Sequence, residues 1–185
     1  MRVIAGEAKG LRLHTPKGLR VRPTSDRARE SLFSILGSRL PGARFLDLYA
    51  GTGANGIEAL SRGTRACVFV DEDARSVALI KRNLVATGFE DRATVIRGAL
   101  PEQLKHFKGK HGAFDIIFAD PPYVSQDYET LLAVIDQEKL LAETGLMVVE
   151  HASRRDLAAA LGDFVRIRRA KYGDTALSFY RASES

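Results

Sequence analysis

Residues 45–72 read FLDLYAGTGANGIEALSRGTRACVFVDE, and this stretch decides the fold. A strand-forming run, Phe45–Tyr49, leads into a glycine-rich loop, and a helical pattern follows over about residues 55–62. A second apolar run, Ala66–Val70, then ends in the acid Asp71. A strand, a glycine-rich turn, a helix and a second strand predict a βαβ unit with a parallel sheet.

The same alternation continues towards the carboxyl end of the chain, and it predicts a doubly wound α/β sheet. Further strands are predicted over residues 94–97, 114–119 and 145–150, with helices over 73–86, 102–107, the stretch up to Leu141, and 153–161. The last two runs, Phe164–Ala170 and Thr175–Arg181, are separated by four residues and predict an antiparallel pair. In such sheets a ligand binds at the carboxyl ends of the parallel strands.

The segment before the sheet has a pattern of its own. Short β-prone runs at residues 1–5 and 11–14 are separated by Gly6 and Gly10, which predicts a hairpin. Thr24, Ser25 and Asp26 offer N-cap side chains for a helix whose apolar positions are Ala28, Leu32, Ile35, Leu36 and Leu40. We therefore expect a hairpin extension over residues 1–22 and an α/β domain over residues 23–185.

Positive charge is concentrated at the amino end of the chain. Residues 1–44 contain 10 Lys and Arg against 3 Asp and Glu, whereas residues 45–185 contain 18 against 20. A basic segment of this kind favours a polyanionic partner, most often nucleic acid; a solvated tail without a partner is the alternative. Because the sheet begins near Arg44, we expect the chain to fold without residues 1–20.

Several classes of protein are excluded by composition. No apolar run is long enough to span a bilayer, and residues 1–10, MRVIAGEAKG, lack the apolar region of a secretory signal, so a cytoplasmic protein is expected. The single cysteine, Cys67, excludes a disulfide framework and a multi-thiolate metal site. The four histidines have no metal-ligand spacing, and we expect no metal.

The glycine-rich loop matches two kinds of nucleotide site. Gly51–Gly56 fits the G-x-G-x-x-G pattern of dinucleotide binding, and Asp71 stands 20 residues after Gly51, where an acid binds ribose hydroxyls. Asp47, however, lies beside the loop, and its carboxylate would repel a pyrophosphate. The same carboxylate favours the ammonium group of S-adenosylmethionine (SAM), which has a ribose and no phosphate. The pattern therefore favours SAM over a nicotinamide cofactor.

A second motif, Asp120-Pro121-Pro122-Tyr123, follows the most apolar strand. The Asp120 carboxylate and the Pro121 carbonyl can accept both hydrogens of a planar amine, and Tyr123 can stack on the attached base. Holding the amine in this way aligns its nitrogen for attack on a sulfonium methyl group. An ionised Asp120 also matches the N1–H and N2–H donors of guanine, although adenine N6 remains open as the target.

Five stretches together resemble the RsmD family of 16S ribosomal RNA (rRNA) guanine-N2 methyltransferases, which are class I SAM-dependent enzymes. They are RVIAGEAKGLRL (2–13), GLRVRPTSDRARESLFSIL (18–36), DLYAGTGANGIEALSRG (47–63), FADPPY (118–123) and YGDTALSFY (172–180). The resemblance spans nearly the whole chain. It implies methylation of guanine 966 at N2 in 16S rRNA by an enzyme with a Rossmann-like sheet. We expect a monomer without membrane attachment that acts on the small ribosomal subunit or its assembly particle, and naked RNA stays open as the substrate.

The resemblance assigns residues to three roles. The catalytic loop is Asp120, Pro121, Pro122 and Tyr123. The SAM site, which also releases S-adenosylhomocysteine, comprises Asp47, Tyr49, Gly51, Gly53, Asn55, Asp71, Glu72, Ala99, Leu100 and Asp120. The RNA contacts are Arg2, Lys9, Arg12, Lys17, Arg20, Arg22, Arg27 and Arg29.

Two positions depart from the family pattern. Arg97-Gly98-Ala99-Leu100 lacks the acid that relatives commonly carry after the third strand, so backbone groups are expected to meet the adenine there. Asn55 occupies a loop position that is usually apolar. Three alternatives remain at this point: an adenine-N6 methyltransferase on DNA or RNA, a nicotinamide-dependent oxidoreductase, and a non-catalytic RNA-binding module.

Overall fold

The computed structural model describes residues 1–16, 23–105, 107–122 and 128–183. The helices are α1 (Pro23–Leu36), α2 (Ala54–Ser61), α3 (Ala74–Thr87), α4 (Phe107–His111) and α5 (Tyr128–Gln137). The strands are β1 (Arg44–Leu48), β2 (Ala66–Asp71), β3 (Ala93–Arg97), β4 (Phe114–Ala119), β5 (Leu141–Ala152), β6 (Ala160–Leu161), β7 (Phe164–Tyr172) and β8 (Thr175–Ala182).

All eight strands form one sheet in the order β3-β2-β1-β4-β5-β8-β7-β6. The first five strands in that order are parallel, and β8, β7 and β6 are antiparallel to their neighbours. The predicted Rossmann-like sheet with an antiparallel carboxyl-terminal pair is therefore confirmed. The strand order reverses between β1 and β4, which opens a crevice at the carboxyl ends of these strands.

The sheet separates two apolar cores. One face is covered by α1, α2 and α3, whose buried side chains include Phe33, Leu60 and Ile80. The other face is covered by α4 and α5, through Phe107 and Leu131. Because both faces are covered, the central strands are almost continuously apolar, as parallel strands require.

The amino-terminal segment forms an antiparallel turn that lies along α2. Val3 N–H donates to the Leu11 carbonyl and Leu13 N–H to the Met1 carbonyl, both at 3.0 Å, and a single bridge joins Arg2 and Arg12. The predicted hairpin is thus present, although it is too irregular for continuous strands. We call residues 1–14 the hairpin below.

The hairpin is part of the core of the molecule. Val3, Ala8 and Leu13 are buried in the same apolar cluster as Leu60 of α2. At Gly6, whose φ is +84°, an added Cβ would lie 1.8 Å from the Ser61 carbonyl oxygen, so only glycine allows the turn to approach the end of α2. Removal of residues 1–20 would therefore uncover part of this core, which argues against the expectation that the chain folds without them.

Three local predictions are corrected by tertiary context. The helix predicted over residues 153–161 does not form: a turn at Ala152–Arg155 leads into irregular chain and then β6, and Arg166 N–H of β7 donates to the Ala159 carbonyl. Hydrogen bonds to the open edge of β7 replace the helical hydrogen bonds of this segment. The helix predicted over 102–107 is a 3₁₀ turn, Glu102–Leu104, followed by α4. Residues 24–26 lie within α1 rather than capping it.

Candidate active site

Four carboxylates point to the same side of the sheet at its carboxyl edge. Side chains alternate along a strand, so a residue two positions beyond a core side chain shares its face. The four acids Asp47, Asp71, Asp120 and Glu150 follow, by two positions each, the core residues Phe45, Phe69, Phe118 and Val148 on the α1–α3 face. The sheet thus gathers acids that are up to 103 residues apart in the sequence.

Asp47 is buried at the end of β1, beneath the glycine-rich loop, and is hydrogen-bonded to the first turn of α2. It is 1% exposed, and its Oδ2 accepts a hydrogen bond from Gly56 N–H at 2.9 Å. Burial raises its pKa to about 8, against the effect of the Gly56 hydrogen bond, and the charges of Asp120 and Asp71 add to the increase. A contact between Asp47 and the SAM ammonium group stays a prediction, since this side chain is buried.

Asp71 lies at the end of β2 and bridges two loops. Its Oδ2 accepts from Gly51 N–H at 2.8 Å, and its Oδ1 accepts from Asp73 N–H at 2.9 Å. The side chain is half-buried, so it faces both the loop and the crevice. Each carboxylate oxygen keeps a free lone pair for a ligand hydroxyl.

The glycine-rich loop has the backbone shape that its sequence requires. Tyr49, Gly51 and Gly53 have φ values of 58°, 56° and 76°, in the left-handed region. At Gly56 an added Cβ would lie 2.2 Å from the Phe69 ring, so this glycine sets how closely α2 packs on β2. Asn55 is half-buried in the first turn of α2.

The remaining predicted cofactor residues lie beside Asp71. Gly98 N–H donates to the Asp71 carbonyl at 3.0 Å, which brings the segment after β3 next to the end of β2. Ala99 is exposed there, and Leu100 packs against the core. Glu72 is exposed, with its carbonyl accepting from Arg97 Nε at 3.1 Å.

Asp120 begins the predicted catalytic loop directly beside β1. Its N–H donates to the Leu48 carbonyl at 3.3 Å, so the loop starts in the crevice between β1 and β4. Asp120 is exposed to solvent, but desolvation by the surrounding protein raises its pKa to about 6. Both observations fit a side chain that lies in a concave cleft. Pro121 is buried and Pro122 exposed; Tyr123 lies outside the described residues.

Glu150 was missed by the sequence analysis. It continues β5 beyond the end of β4 and is half-buried beside Asp120. Burial and the negative charge of Asp120 raise its pKa to about 8. An acid at the end of an apolar strand was the available signal, but its neighbour could be known only from the register of the two strands.

Comparison with known proteins identifies the family. The family model described as "Conserved hypothetical protein 95" matches residues 1–181. "Putative rRNA methyltransferase YlbH" of Bacillus subtilis is 40% identical over 98% of both chains. "Ribosomal RNA small subunit methyltransferase D" of Escherichia coli is 31% identical over 98% of this chain and 89% of its own. The chain is a member of the RsmD family.

Solved structures agree with this membership. "Putative methyltransferase yhhF from Escherichia coli" superposes on the RsmD-family chain with a TM-score of 0.85 at 27% identity, covering 100% of this chain and 99% of its own. A hypothetical protein from Thermus thermophilus superposes with a TM-score of 0.84 at 32% identity, covering 98% of this chain and 99% of its own. Both similarities include the hairpin and the carboxyl-terminal strands.

The predicted RNA-binding residues of the RsmD-family chain occupy different environments. Arg2, Arg12 and Arg27 are exposed. Lys9 is also exposed but lies at the hairpin turn, next to Ser61 at the far end of α2 from the glycine-rich loop. Lys17, Arg20 and Arg22 lie outside the described residues.

The structure does not expose Arg29, which was predicted as an RNA contact, because its side chain is buried between α1 and the hairpin. Its side chain is 8% exposed, and Nη2 donates to the Arg2 carbonyl at 2.9 Å. Burial lowers its pKa, while the nearby charge of Glu58 acts in the opposite direction. The guanidinium therefore holds the hairpin and is not presented to a phosphate.

Glu58 of α2 is a second residue that the sequence analysis missed. It is fully buried, and its carboxylate accepts from Ile4 N–H at 2.7 Å, from Ala5 N–H at 3.0 Å and from Arg62 Nε at 2.8 Å. It thereby fastens the hairpin to the helix that follows the glycine-rich loop. The helical pattern marked it only as one more polar position.

Within residues 1–16, 23–105, 107–122 and 128–183, no group of three His, Cys, Asp or Glu side chains is arranged to hold a metal ion. Over the same ranges, no helix has both the length and the apolar character needed to cross a bilayer.

Proposed function

We propose that this RsmD-family protein transfers a methyl group from SAM to the N2 amine of guanine 966 in 16S rRNA. The observation that carries the proposal is the crevice between β1 and β4, where the glycine-rich loop and Asp120 open on the same side of the sheet. Both relatives are named as rRNA methyltransferases, which supports rRNA as the substrate. We place the reaction in the cytoplasm, on the small subunit or its assembly particle, with a monomeric enzyme and no metal.

The residues at the crevice fit SAM better than a dinucleotide. Asp71 offers carboxylate oxygens towards the space above the loop, as a ribose needs, and Gly51 and Gly53 let a ligand approach the backbone. The Asp71 and Asp120 carboxylates at this edge favour a cation and would repel a pyrophosphate, whereas burial keeps Asp47 and Glu150 mainly protonated at neutral pH. When bound, SAM supplies a methyl group attached to a positively charged sulfur.

The chain's own groups position the amine. The Asp120 carboxylate accepts one N–H of the target amine, and the Pro121 carbonyl, at the start of a proline-rigid turn, accepts the other. With both hydrogens held in the plane of the base, the nitrogen lone pair, which is perpendicular to that plane, can be aligned with the bound methyl group. Positioning of this kind lowers the barrier without a strong base.

The hairpin is proposed to bind the RNA around the target base. Arg2 and Arg12 face each other across the single bridge and are exposed, and Arg27 is exposed on α1. Replacing all three by Gln should lower the slope of log affinity against log salt by about 0.7–0.9 for each phosphate that these arginines bind. The triple variant Arg75→Gln, Lys81→Gln, Arg82→Gln on α3 is the matched control. An unchanged slope in the hairpin variant would favour an idle basic tail.

The nucleoside product tests the proposed reaction. Small subunits from cells that lack the modification are incubated with the protein and methyl-labelled SAM, and the digested rRNA is analysed by mass spectrometry. We expect N2-methylguanosine, mapped to position 966 by nuclease protection. N6-methyladenosine would indicate an adenine enzyme, and binding of rRNA without any methylated nucleoside would indicate a non-catalytic module; either result contradicts the proposal.

A further inference from the structure

The acid at the end of β5, Glu150, has no part in the reaction as described so far. β4 and β5 are parallel, with Ala119 opposite Val149, so Asp120 and Glu150 follow paired positions on adjacent strands. Neighbouring strands are about 4.8 Å apart, and both side chains point to the α1–α3 face. The two carboxyl groups therefore stand side by side at the edge of the crevice.

The surroundings of Glu150 are apolar or acidic. Leu177 of β8 is its strand partner on one side, and Asp120 lies on the other side; beyond it, Asp47 of β1 is the strand partner of Phe118, two residues before Asp120. The neighbouring His151 points to the opposite face, where its Nε2 lies 2.9 Å from Ser178 Oγ. Within the described part of the chain, no Lys or Arg forms an ion pair with Glu150.

Two adjacent carboxyl groups in such surroundings hold a proton between them near neutral pH. The pKa of Glu150 is raised to about 8 by burial and by the charge of Asp120, and that of Asp120 to about 6 by burial. Protons of coupled acids belong to the pair. Because Asp120 is exposed to solvent and Glu150 is half-buried, ionisation costs less at Asp120, so the shared proton resides mainly on Glu150 and leaves Asp120 ionised.

We propose that Glu150 is a positioning residue for methyl transfer, which keeps a proton beside Asp120 so that the Asp120 carboxylate alone is ionised and turned towards the target amine. The proposal rests on the proposed function. It gives Glu150 the role of a neutral donor next to the acceptor that holds the amine.

The pair also provides a place for the proton that the reaction releases. When the amine nitrogen bonds to the methyl carbon, the carbon–sulfur bond breaks with its electron pair on sulfur, and the nitrogen becomes positive. One N–H proton then moves to the Asp120 carboxylate. The pair holds one proton before this step and two after it, and the extra proton passes to solvent through the exposed side of Asp120.

The first test measures protonation in the free protein and does not depend on methyl transfer. Carbon-13 labelling of Glu carboxyl groups allows the titration of Glu150 to be followed by NMR in the free protein. We expect a titration midpoint well above that of an ordinary Glu, and a lower midpoint in Asp120→Asn, because one negative charge is removed. Asp115→Asn, at the opposite end of β4, should leave the midpoint unchanged. An equal midpoint in Asp120→Asn and the wild type would overturn the pairing, whatever the reaction is.

The second test follows the single-turnover rate on rRNA between about pH 6 and about pH 9. The wild-type rate should fall above about pH 8, as Glu150 loses its proton. Glu150→Gln keeps a neutral donor and should lack this fall, whereas Glu150→Ala should be slower by about tenfold or more at every pH, with SAM affinity within a few-fold. Glu143→Gln, an exposed acid on the same strand, is the control.

The two tests separate failure of this inference from failure of the proposed function. A pH profile of Glu150→Gln that falls as in the wild type, or a wild-type rate in Glu150→Ala, would overturn the role of Glu150 while methylation itself stands. Wild-type protein that methylates no rRNA base would refute the proposed function, and the NMR titration would still decide whether the two acids share a proton.

Discussion

The loop that follows a strand decides whether the acid at the end of that strand is buried or open to a ligand. Asp47 and Asp120 lie on neighbouring strands and point to the same face, yet Asp47 is sealed beneath the start of α2 and Asp120 is open to the crevice. The difference follows from the loops: after β1 the chain turns over Asp47 into a helix, whereas after β4 two prolines, which cannot enter the interior of a helix, follow Asp120 directly. The buried acid shapes the loop, and the open one can meet a substrate.

Replacing Asp120 by Asn should abolish most of the methyl transfer. The amide keeps the size of the side chain but removes the charge that accepts the amine hydrogen, and losses of about 10²–10⁴-fold are typical for such a group. SAM affinity, measured by calorimetry, should stay within a few-fold. Asp115→Asn on the same strand should have wild-type turnover. Near wild-type turnover of Asp120→Asn would show that the amine is held elsewhere.

Replacing Asp71 by Asn should weaken SAM binding. Loss of charge-assisted hydrogen bonds to the ribose hydroxyls is worth roughly 1.5–3 kcal/mol, and calorimetry measures the change directly. Asp73→Asn is the matched control, because Asp73 caps α3 two residues later and faces Arg75 at the surface. If Asp71→Asn binds SAM as tightly as the wild type, the ribose acid is another residue, and Glu72 is the next to test.

At the scale of elements, the hairpin and α2 form one unit. Glu58 accepts two hairpin N–H groups and the Arg62 guanidinium without any exposure to water, and Arg29 holds the hairpin from the side of α1. The elements that carry the exposed arginines proposed to bind RNA are thus fastened to the helix that begins at the glycine-rich loop. If these arginines bind RNA, this fixed arrangement sets the distance between the RNA and the crevice.

Glu58→Ala should therefore destabilise the protein strongly. The change leaves Ile4 N–H, Ala5 N–H and the Arg62 guanidinium without an acceptor, and breaking a buried ion pair costs roughly 3–5 kcal/mol. Denaturant unfolding measures the loss, and amide exchange at Ile4 and Ala5 shows whether the hairpin detaches first. The exposed Glu30→Ala should change the unfolding free energy by less than about 0.5 kcal/mol. A loss below about 1 kcal/mol for Glu58→Ala would contradict the fastening role.

At the scale of the whole molecule, the acids at the crevice make stability depend on pH. Asp47, Asp120 and Glu150 have pKa values raised to about 8, about 6 and about 8 in the folded chain. Above about pH 4 the unfolded chain has lost these protons and the folded chain still holds them. Their contribution to stability is therefore largest at low pH and is lost as the pH rises towards about 8.

Asp47→Asn isolates one of these contributions. The amide oxygen can still accept from Gly56 N–H, but it no longer binds a proton. The stability of the variant relative to the wild type should rise by about 2–3 kcal/mol between about pH 5 and about pH 7, at about 1.4 kcal/mol for each pH unit. Chemical unfolding at several pH values measures the difference. A difference that does not change with pH would mean that Asp47 is ionised in the folded protein.

Much of the architecture is decided by local patterns that the sequence carries by itself. The order of strands and helices, the glycine-rich loop and the turn at Asp120-Pro121-Pro122 depend on side-chain periodicity, glycine conformation and proline geometry within a few residues. These signals predicted a parallel sheet with its ligand at the carboxyl edge. They also predicted Asp71 and Asp120 as acids at that edge, because each stands at the carboxyl end of an apolar strand.

What only the tertiary structure decided depends on partners far away in the chain. The register of β4 and β5 places Glu150 beside Asp120, and no local pattern contains that register. Burial of Arg29 and Glu58 follows from the hairpin that packs over them, which turns one from an RNA contact into a structural group. Residues 153–161 do not form the predicted helix, because the open edge of β7 offers them hydrogen bonds that their local sequence does not show.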